Sequence, residues 1–228
     1  MSSHSKAIII VILSGLIWSF GPLVVKNMID PQIYQLPYLV IRGLTVAIII
    51  SCYLLINEGI SFLEKILKID KTTMIGSLSL TTAFLGFIYS ISFTTAAVTL
   101  FMLALMPFLA SIIAFVFLTE KISLQNFISM VVALIGTVIM IYSSSFSGSI
   151  FGLIMGFISS LGFAAFSVTL RSKSDFKKFY ILVYGGIFCA LISSTIMIVQ
   201  DQSFFIPSKN VFLSICHGVI VASGLILF

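Results

Sequence analysis

The chain alternates long apolar stretches with short polar ones, and one stretch alone defines its class. Residues 72–118 run for 47 positions without Asp, Glu, Lys, Arg or His. As a single helix they would extend roughly 70 Å at 1.5 Å per residue, over twice the ~30 Å hydrocarbon thickness of a bilayer. The stretch must therefore fold back, and Thr94-Thr95-Ala96-Ala97 is the only credible hairpin tip. Two transmembrane helices joined by almost no loop are predicted.

Length and flanking charge, applied to the other apolar stretches, predict an all-α polytopic membrane protein with about eight transmembrane helices. The first stretch ends at Lys26 without a small-x-small cleavage site, so we interpret it as a retained helix and not a signal peptide. The longest loop, 57–71, has room for a small amphipathic surface piece. The predicted spans are 7–26, 37–56, 73–93, 96–118, 124–142, 150–170, 179–199 and 210–228.

Composition supports the membrane assignment and explains the net charge. Hydrophobic residues make up 60% and charged residues 8%, with a mean hydropathy of +1.24, whereas ordinary globular domains carry about 25% charged residues. The net charge of +5 then indicates orientation, and no nucleic-acid partner is expected. With a cytoplasmic N-terminus, only Lys26 and Lys209 lie outside, which predicts an integral plasma (inner) membrane protein of that orientation. Nine basic residues lie inside: Lys6, Lys65, Lys68, Lys71, Lys121, Arg171, Lys173, Lys177 and Lys178.

A weak internal repeat is visible at an offset near 145. The segment 16–21 aligns with 161–166, and 39–43 aligns with 182–186 at a slightly smaller offset. Five spans separate the two copies, and because five is odd the second copy crosses in the opposite sense, as in inverted-repeat transporters. The repeat predicts a five-helix domain over 7–142 and an incomplete copy over 150–228. We favour a fragment of a longer protein over an eight-helix variant.

The segment Tyr89 to Thr137 carries a family resemblance. It has an aromatic-rich helix, a Thr/Ala hairpin, Pro107 in mid-helix, Glu120-Lys121 at the helix end and Gly136 further on. The chain resembles the EamA-type domain of the drug/metabolite transporter superfamily over residues 7–142 and, more loosely, over 150–228. The resemblance implies a ten-helix bundle of two inverted five-helix repeats, of which about eight helices are present.

Five residues are candidates for a substrate path. Arg42 is the one strongly charged residue inside a span, and such charges are functional hypotheses by default. Its position five residues after Pro37 leaves open that it snorkels to the outer interface. Trp18 lies in mid-helix, outside the interfacial belt that tryptophan prefers, and either packs on neighbouring helices or lines a cavity. The path candidates are Trp18, Arg42, Tyr89, Phe163 and Tyr184.

Four further residues have structural and functional interpretations. Pro22 and Pro107 each remove a backbone donor and free a carbonyl one turn earlier, which either kinks a helix for packing or shapes a central cavity. Glu120 is interpreted as structural, capping the next helix or pairing with loop lysines. His217 is interpreted as a satisfied core histidine, with proton handling as the minority alternative.

These features favour a transporter that moves a small polar metabolite, such as an amino acid or related solute, by alternating access. If Arg42 is functional, it and Lys26 would favour a solute with a carboxylate or phosphate. A membrane enzyme would need clustered catalytic groups, and the sequence has neither these nor a metal-ligand set, so no catalytic residue, metal or cofactor is expected. The alternative is a non-transporting helical subunit, or a truncated fragment without activity of its own. The expected partners are a small-molecule solute and the lipid bilayer, and a homodimer is left open.

Overall fold

The computed structural model describes residues 3–120, 124–143, 149–171 and 175–227, and within them all regular structure is α-helical. Lys121, Lys173 and Phe228 lie outside the described residues. The helices are α1 (Ser3–Ser19), α2 (Gly21–Lys26), α3 (Pro31–Glu58), α4 (Ser61–Ile66), α5 (Lys71–Phe93), α6 (Ala96–Leu103), α7 (Met106–Leu118), α8 (Leu124–Ser143), α9 (Ile150–Arg171), α10 (Asp175–Val199) and α11 (Ser208–Leu227).

The polytopic all-α fold is confirmed. Among the described residues, seven helical segments are long and apolar enough to cross a membrane, and each overlaps a predicted span. The charge-free stretch folds back where expected, because α5 ends at Phe93 and α6 begins at Ala96. Thr95 has extended backbone and its hydroxyl accepts a hydrogen bond from the Val98 amide at 3.2 Å, so it caps α6. The predicted surface piece in the loop 57–71 is α4.

One predicted boundary is wrong. The second span was expected to begin at Pro37, but α3 begins six residues earlier, at Pro31. Asp30 adopts a left-handed backbone (φ 42°) that turns the chain into the helix, and Pro31 occupies the first turn, where a missing amide costs nothing. Pro37 therefore lies inside the helix, which the membrane environment tolerates. Every residue of α3 is consequently deeper in the helix than the sequence suggested.

Two spans are broken at prolines. The first divides into α1 and α2 around Phe20, with Pro22 in the first turn of α2. The fourth divides into α6 and α7 at residues 104–105, with Pro107 in the first turn of α7. In each case the proline sits where its missing amide needs no partner in the shorter helix that follows.

The helices form two compact units. Unit 1 contains Met1–Met74 and Asp175–Phe228, and unit 2 contains Ile75–Ser174. In unit 1, α3 packs on α10 and α11, and α11 also packs on α1 and α2. In unit 2, α9 packs on α6 and α7. Each unit draws helices from both predicted repeats, so the repeat boundaries at 7–142 and 150–228 stay a prediction.

Helix directions within the units bear on the eighth span, α8. In unit 1, α3 and α10 are antiparallel, since Gly43 lies against Gly186 while the Tyr53 and Phe179 rings meet at 5.0 Å. Each membrane crossing reverses the direction of the chain. Two spans that point in opposite directions are therefore separated by an even number of other spans. The spans between α3 and α10 number four only if α8 crosses. At 20 residues α8 is about 30 Å long, enough to do so.

Unit 2 gives the same answer independently. There α5 and α9 are antiparallel, because Gly152 lies against Thr94 and Gly162 lies against Ala83. The chain must then cross an even number of times between them, which requires α8 in addition to the α6–α7 span. Both units thus support eight crossings in the described chain.

Candidate functional site

A reciprocal close approach joins α3 and α10 in unit 1. A Cβ added at Gly43 would lie 2.7 Å from the Gly186 carbonyl oxygen and 3.1 Å from the Ala190 amide nitrogen. A Cβ added at Gly186 would lie 2.6 Å from the Gly43 carbonyl oxygen and 3.0 Å from the Ala47 amide nitrogen. Each helix therefore presents the same Gly-x3-Ala pair to the other, and small residues bring the two backbones into contact. We call this contact the glycine crossing.

Buried polar side chains line the contact between α3 and α11, close to the glycine crossing. On α3 they recur at i, i+3 and i+7, and on α11 at i, i+4 and i+7, spacings that place each set on one helix face. The two helices run parallel here, because Ile29 pairs with Asn210 and, further along, Thr45 lies against Gly218. We call this contact the polar seam; its residues, all buried, are Gln35, Tyr38 and Arg42 of α3 and Asn210, Ser214 and His217 of α11.

Hydrogen bonds satisfy part of the polar seam. The Tyr38 hydroxyl and His217 Nδ1 lie 2.8 Å apart and share a hydrogen bond. At the end of the seam, the Asn210 amide accepts from the Ile29 N–H and donates to the Ile29 carbonyl, both at 2.9 Å. By contrast, Gln35 Oε1 is buried and has no hydrogen-bond partner among the described residues. Within the described residues, the seam therefore contains a buried acceptor, Gln35 Oε1, that is not satisfied.

Arg42 is the cationic member of the polar seam. It lies eleven residues into α3, about 16 Å along the helix axis, and is only 2% exposed. Tyr38 and Cys189 lie near its guanidinium. Snorkelling to the interface requires an exposed guanidinium near a helix end, and the structure has neither. The snorkelling alternative arose because the sequence placed the start of this helix at Pro37 and not at Pro31.

The other path candidates of unit 1 lie in separate helix contacts. Trp18 is half-buried between α1 and α11, where its Nε1–H donates to the Val221 carbonyl at 3.4 Å and its ring covers Gly224. The Tyr184 hydroxyl donates to the Ile66 carbonyl at the end of α4. The structure therefore does not gather Trp18 and Tyr184 around one site.

The remaining path candidates belong to unit 2. Tyr89 stacks on Phe93, with ring centroids 6.4 Å apart, and meets the edge of Phe151 at 6.0 Å. Phe163 meets Phe84 edge-on at 6.4 Å. Both rings are partly buried in aromatic packing within that unit.

Glu120 forms an ion pair with a residue of α9. Its Oε2 accepts from Arg171 Nη1 at 2.9 Å, and both side chains are about half exposed, at 49% and 51%. The described partner is thus an arginine at a helix end, and the loop lysines Lys121 and Lys173 lie outside the described residues. An exposed pair of this kind contributes about 0–1 kcal/mol, so Glu120 has a modest structural contact.

Sequence inspection missed most of the polar seam. Gln35, Tyr38, Asn210 and Ser214 were not singled out, although their helical spacing within apolar spans was a usable signal. What the sequence could not supply is the pairing of the two faces, since Tyr38 and His217 are 179 positions apart. Among the described residues, no group of three or more His, Cys, Asp or Glu could hold a metal ion.

Comparison with known proteins places the chain in a family. Residues 5–142 match the EamA-like transporter family. No curated protein matches the sequence. The family match covers more than half of the chain and contains α2 to α7 entirely, together with nearly all of α1 and α8. The chain therefore belongs to the EamA-like transporter family, and it is an integral membrane transporter of the drug/metabolite transporter superfamily.

Proposed function

We propose that this transporter moves a small polar metabolite with an anionic group, such as an amino acid or related solute, by alternating access across the plasma (inner) membrane. The observation that carries the proposal is Arg42, a charged residue held in the polar seam at 2% exposure. An arginine at such depth costs about 2.5–3.5 kcal/mol in a membrane helix. That cost indicates a functional site, and a guanidinium is well suited to a carboxylate or phosphate.

The mouth of the polar seam supports the choice of an anionic solute. Lys26 at the end of α2 and Lys209 at the start of α11 are both exposed. The hydrogen bonds between Ile29 and Asn210 bring these two chain segments to the same end of unit 1. Two lysines at the entrance raise the local concentration of anions. With the N-terminus in the cytoplasm, as the distribution of basic residues predicts, this entrance faces outward.

The glycine crossing supports the alternating-access part of the proposal. Its two sides are equivalent positions of the aligned segments 39–43 and 182–186, so the contact has the local symmetry expected between inverted repeats. Backbones in contact through glycine carry no interlocking side chains at that point. Such a contact lets one helix rock on the other while the polar seam opens or closes.

The test is uptake by reconstituted protein. Proteoliposomes are offered a mixed metabolite extract, and the solutes retained are identified by mass spectrometry. Arg42→Ala should weaken the apparent affinity for the transported solute about 10- to 150-fold, since a hydrogen bond to a charged group contributes about 1.5–3 kcal/mol. Arg42→Lys should recover part of it. The matched control is Arg171→Ala, which removes an exposed arginine and should leave uptake unchanged.

Two results would overturn the proposal. Unchanged apparent affinity in Arg42→Ala, with normal insertion, would remove the anion site. Correctly inserted protein that takes up no solute would instead favour the alternative of a non-transporting helical subunit.

A further inference from the structure

His217 lies on α11, outside the residues that match the family. It is 2% exposed in the polar seam, with Nδ1 bonded to Tyr38. Its other ring nitrogen faces Gly21, where an added Cβ would lie 2.9 Å from Nε2. Gly21 begins α2, directly after the break that ends α1. The imidazole thus lies between the Tyr38 hydroxyl and the start of α2. A side chain larger than glycine at position 21 would contact the ring.

Arg42 and His217 are neighbours across the polar seam. Tyr38, the hydrogen-bond partner of His217, precedes Arg42 by one helical turn on the same face of α3. Gly218, the neighbour of His217, lies against the Arg42 backbone, with an added Cβ 3.2 Å from its carbonyl oxygen. The titratable or charged residues around the seam are Tyr38 and Arg42 on α3, Cys189 on α10, Cys216 and the exposed Lys209 on α11, and the exposed Lys26 on α2.

We propose that His217 is a proton-binding residue whose protonation is linked to anion binding at Arg42, so that one proton and one anionic solute cross together. The inference rests on the proposed function. An imidazolium beside the Arg42 guanidinium is disfavoured while the site is empty, because like charges repel in a poorly solvated site. A bound carboxylate or phosphate compensates the second charge. By linkage, each ligand then strengthens binding of the other by the same factor.

The proton balance is simple. A proton from the aqueous phase forms an N–H bond at the ring nitrogen that carries none in the neutral imidazole. In the imidazolium both nitrogens donate, so Nδ1–H donates to the Tyr38 oxygen. When the seam opens to the other side and the anion leaves, the same N–H bond breaks and the proton returns to water. No oxidant, reductant or other co-reactant is involved.

The experiment measures solute and proton in the same vesicles. Proteoliposomes loaded with the pH dye pyranine, with the membrane potential clamped at zero by potassium and valinomycin, receive the metabolite extract outside. Lumen acidification is read by fluorescence and solute uptake by mass spectrometry, with protein-free liposomes as the blank. We expect about one proton per solute. The apparent affinity for the solute should rise about 5- to 150-fold as the external pH falls, the usual range of coupling between linked sites.

Variants identify the residue. His217→Gln keeps an amide that can bond Tyr38 but cannot take up a proton, so the pH dependence and the acidification should both disappear. His4→Gln, which removes the only other histidine of the chain, should leave both unchanged. Tyr38→Phe removes the hydrogen bond to Nδ1 and should move the pH midpoint of uptake, an effect that a purely structural role would not produce.

The outcomes separate this inference from the function on which it rests. Absence of uptake in the unmodified protein refutes the proposed function. Uptake without acidification, or acidification and pH dependence that persist in His217→Gln, overturns the inference and leaves the transporter proposal standing.

Discussion

Replacing Gly43 by alanine should destabilise the transporter by forcing α3 and α10 apart at the glycine crossing. The added methyl group would lie 2.7 Å from the Gly186 carbonyl oxygen, whereas ordinary contact begins near 3.4 Å. The atoms it meets belong to the α10 backbone, which cannot swing aside as the end of a flexible side chain can. The helices must therefore separate locally by about 0.7 Å, the difference between those two distances.

The magnitude follows from what that separation does to the interface. A gap of about 0.5–1 Å removes a quarter to a half of the dispersion energy of each atom pair it affects. Overpacking of this kind typically costs about 1–3 kcal/mol. Alanine recovers up to about 1 kcal/mol through its better helix propensity. With the middle of the overpacking range, about 2 kcal/mol, and the full propensity gain of about 1 kcal/mol, the expected net loss in the free energy of unfolding is about 1 kcal/mol.

The reciprocity of the contact supplies a sharper test. Gly186→Ala should cost a similar amount, because its methyl group would lie 2.6 Å from the Gly43 carbonyl oxygen. Each substitution forces the same separation, so the double variant should lose less than the sum of the two single losses. Stability is measured by titrating the protein in mild detergent micelles with sodium dodecyl sulfate and following helix content by circular dichroism. The reasoning fails if Gly43→Ala is as stable as the parent, or if the two losses add.

Gly15→Ala is the matched control, since an added Cβ there meets nothing within 4 Å. It should be neutral or slightly stabilising. A loss in this variant equal to that of Gly43→Ala would show that the glycine substitutions act through something other than the crossing.

Three further outcomes follow from single contacts. Gly224→Ala places a methyl group against Trp18 Nε1, so it should displace the only tryptophan of the chain and shift its fluorescence maximum; an unchanged spectrum would contradict this packing. Asn210→Ala leaves the Ile29 N–H and carbonyl without their partners and should cost about 2–4 kcal/mol in the same unfolding titration, whereas a loss below ~0.5 kcal/mol would refute the pairing. Thr95→Ala removes the α6 cap and should lower the free energy of unfolding by about 1 kcal/mol. An unchanged free energy of unfolding would contradict the capping role.

The sequence predicted the spans well because a bilayer imposes a length that can be counted. A charge-free stretch of 47 residues has few ways to fold in a membrane, and the hairpin at Thr95 follows from that constraint. The start of α3 was missed because Pro37 was interpreted as a boundary, while the left-handed Asp30 and Pro31 form the real one. A proline is an ambiguous sign of a helix start in a membrane protein, because membrane helices also tolerate proline in their interior.

The candidate site was predicted only in part, for a different reason. Arg42 was identifiable because a charge in a span is rare. Its surroundings were not, because α11 meets α3 through residues more than 170 positions away, and one sequence does not say which helix faces pack together. Aromatic residues were the weaker guide, since Tyr89 packs on Phe93 of its own helix and the Tyr184 hydroxyl donates to the Ile66 carbonyl.

Unit 1 is built from two segments of the chain that are far apart in sequence, and this has a consequence for its synthesis. Residues 75–174 must be translated between its two parts, which takes about 5–20 s at typical rates of about 5–20 residues per second. Throughout that interval α3 is made but α10 and α11 are not, so Arg42 has neither partner helix to cover it. A charge in that state is costly in lipid. We therefore expect the early helices to be retained beside the insertion machinery or a membrane chaperone until α11 emerges, and crosslinking of stalled chains would detect that delay.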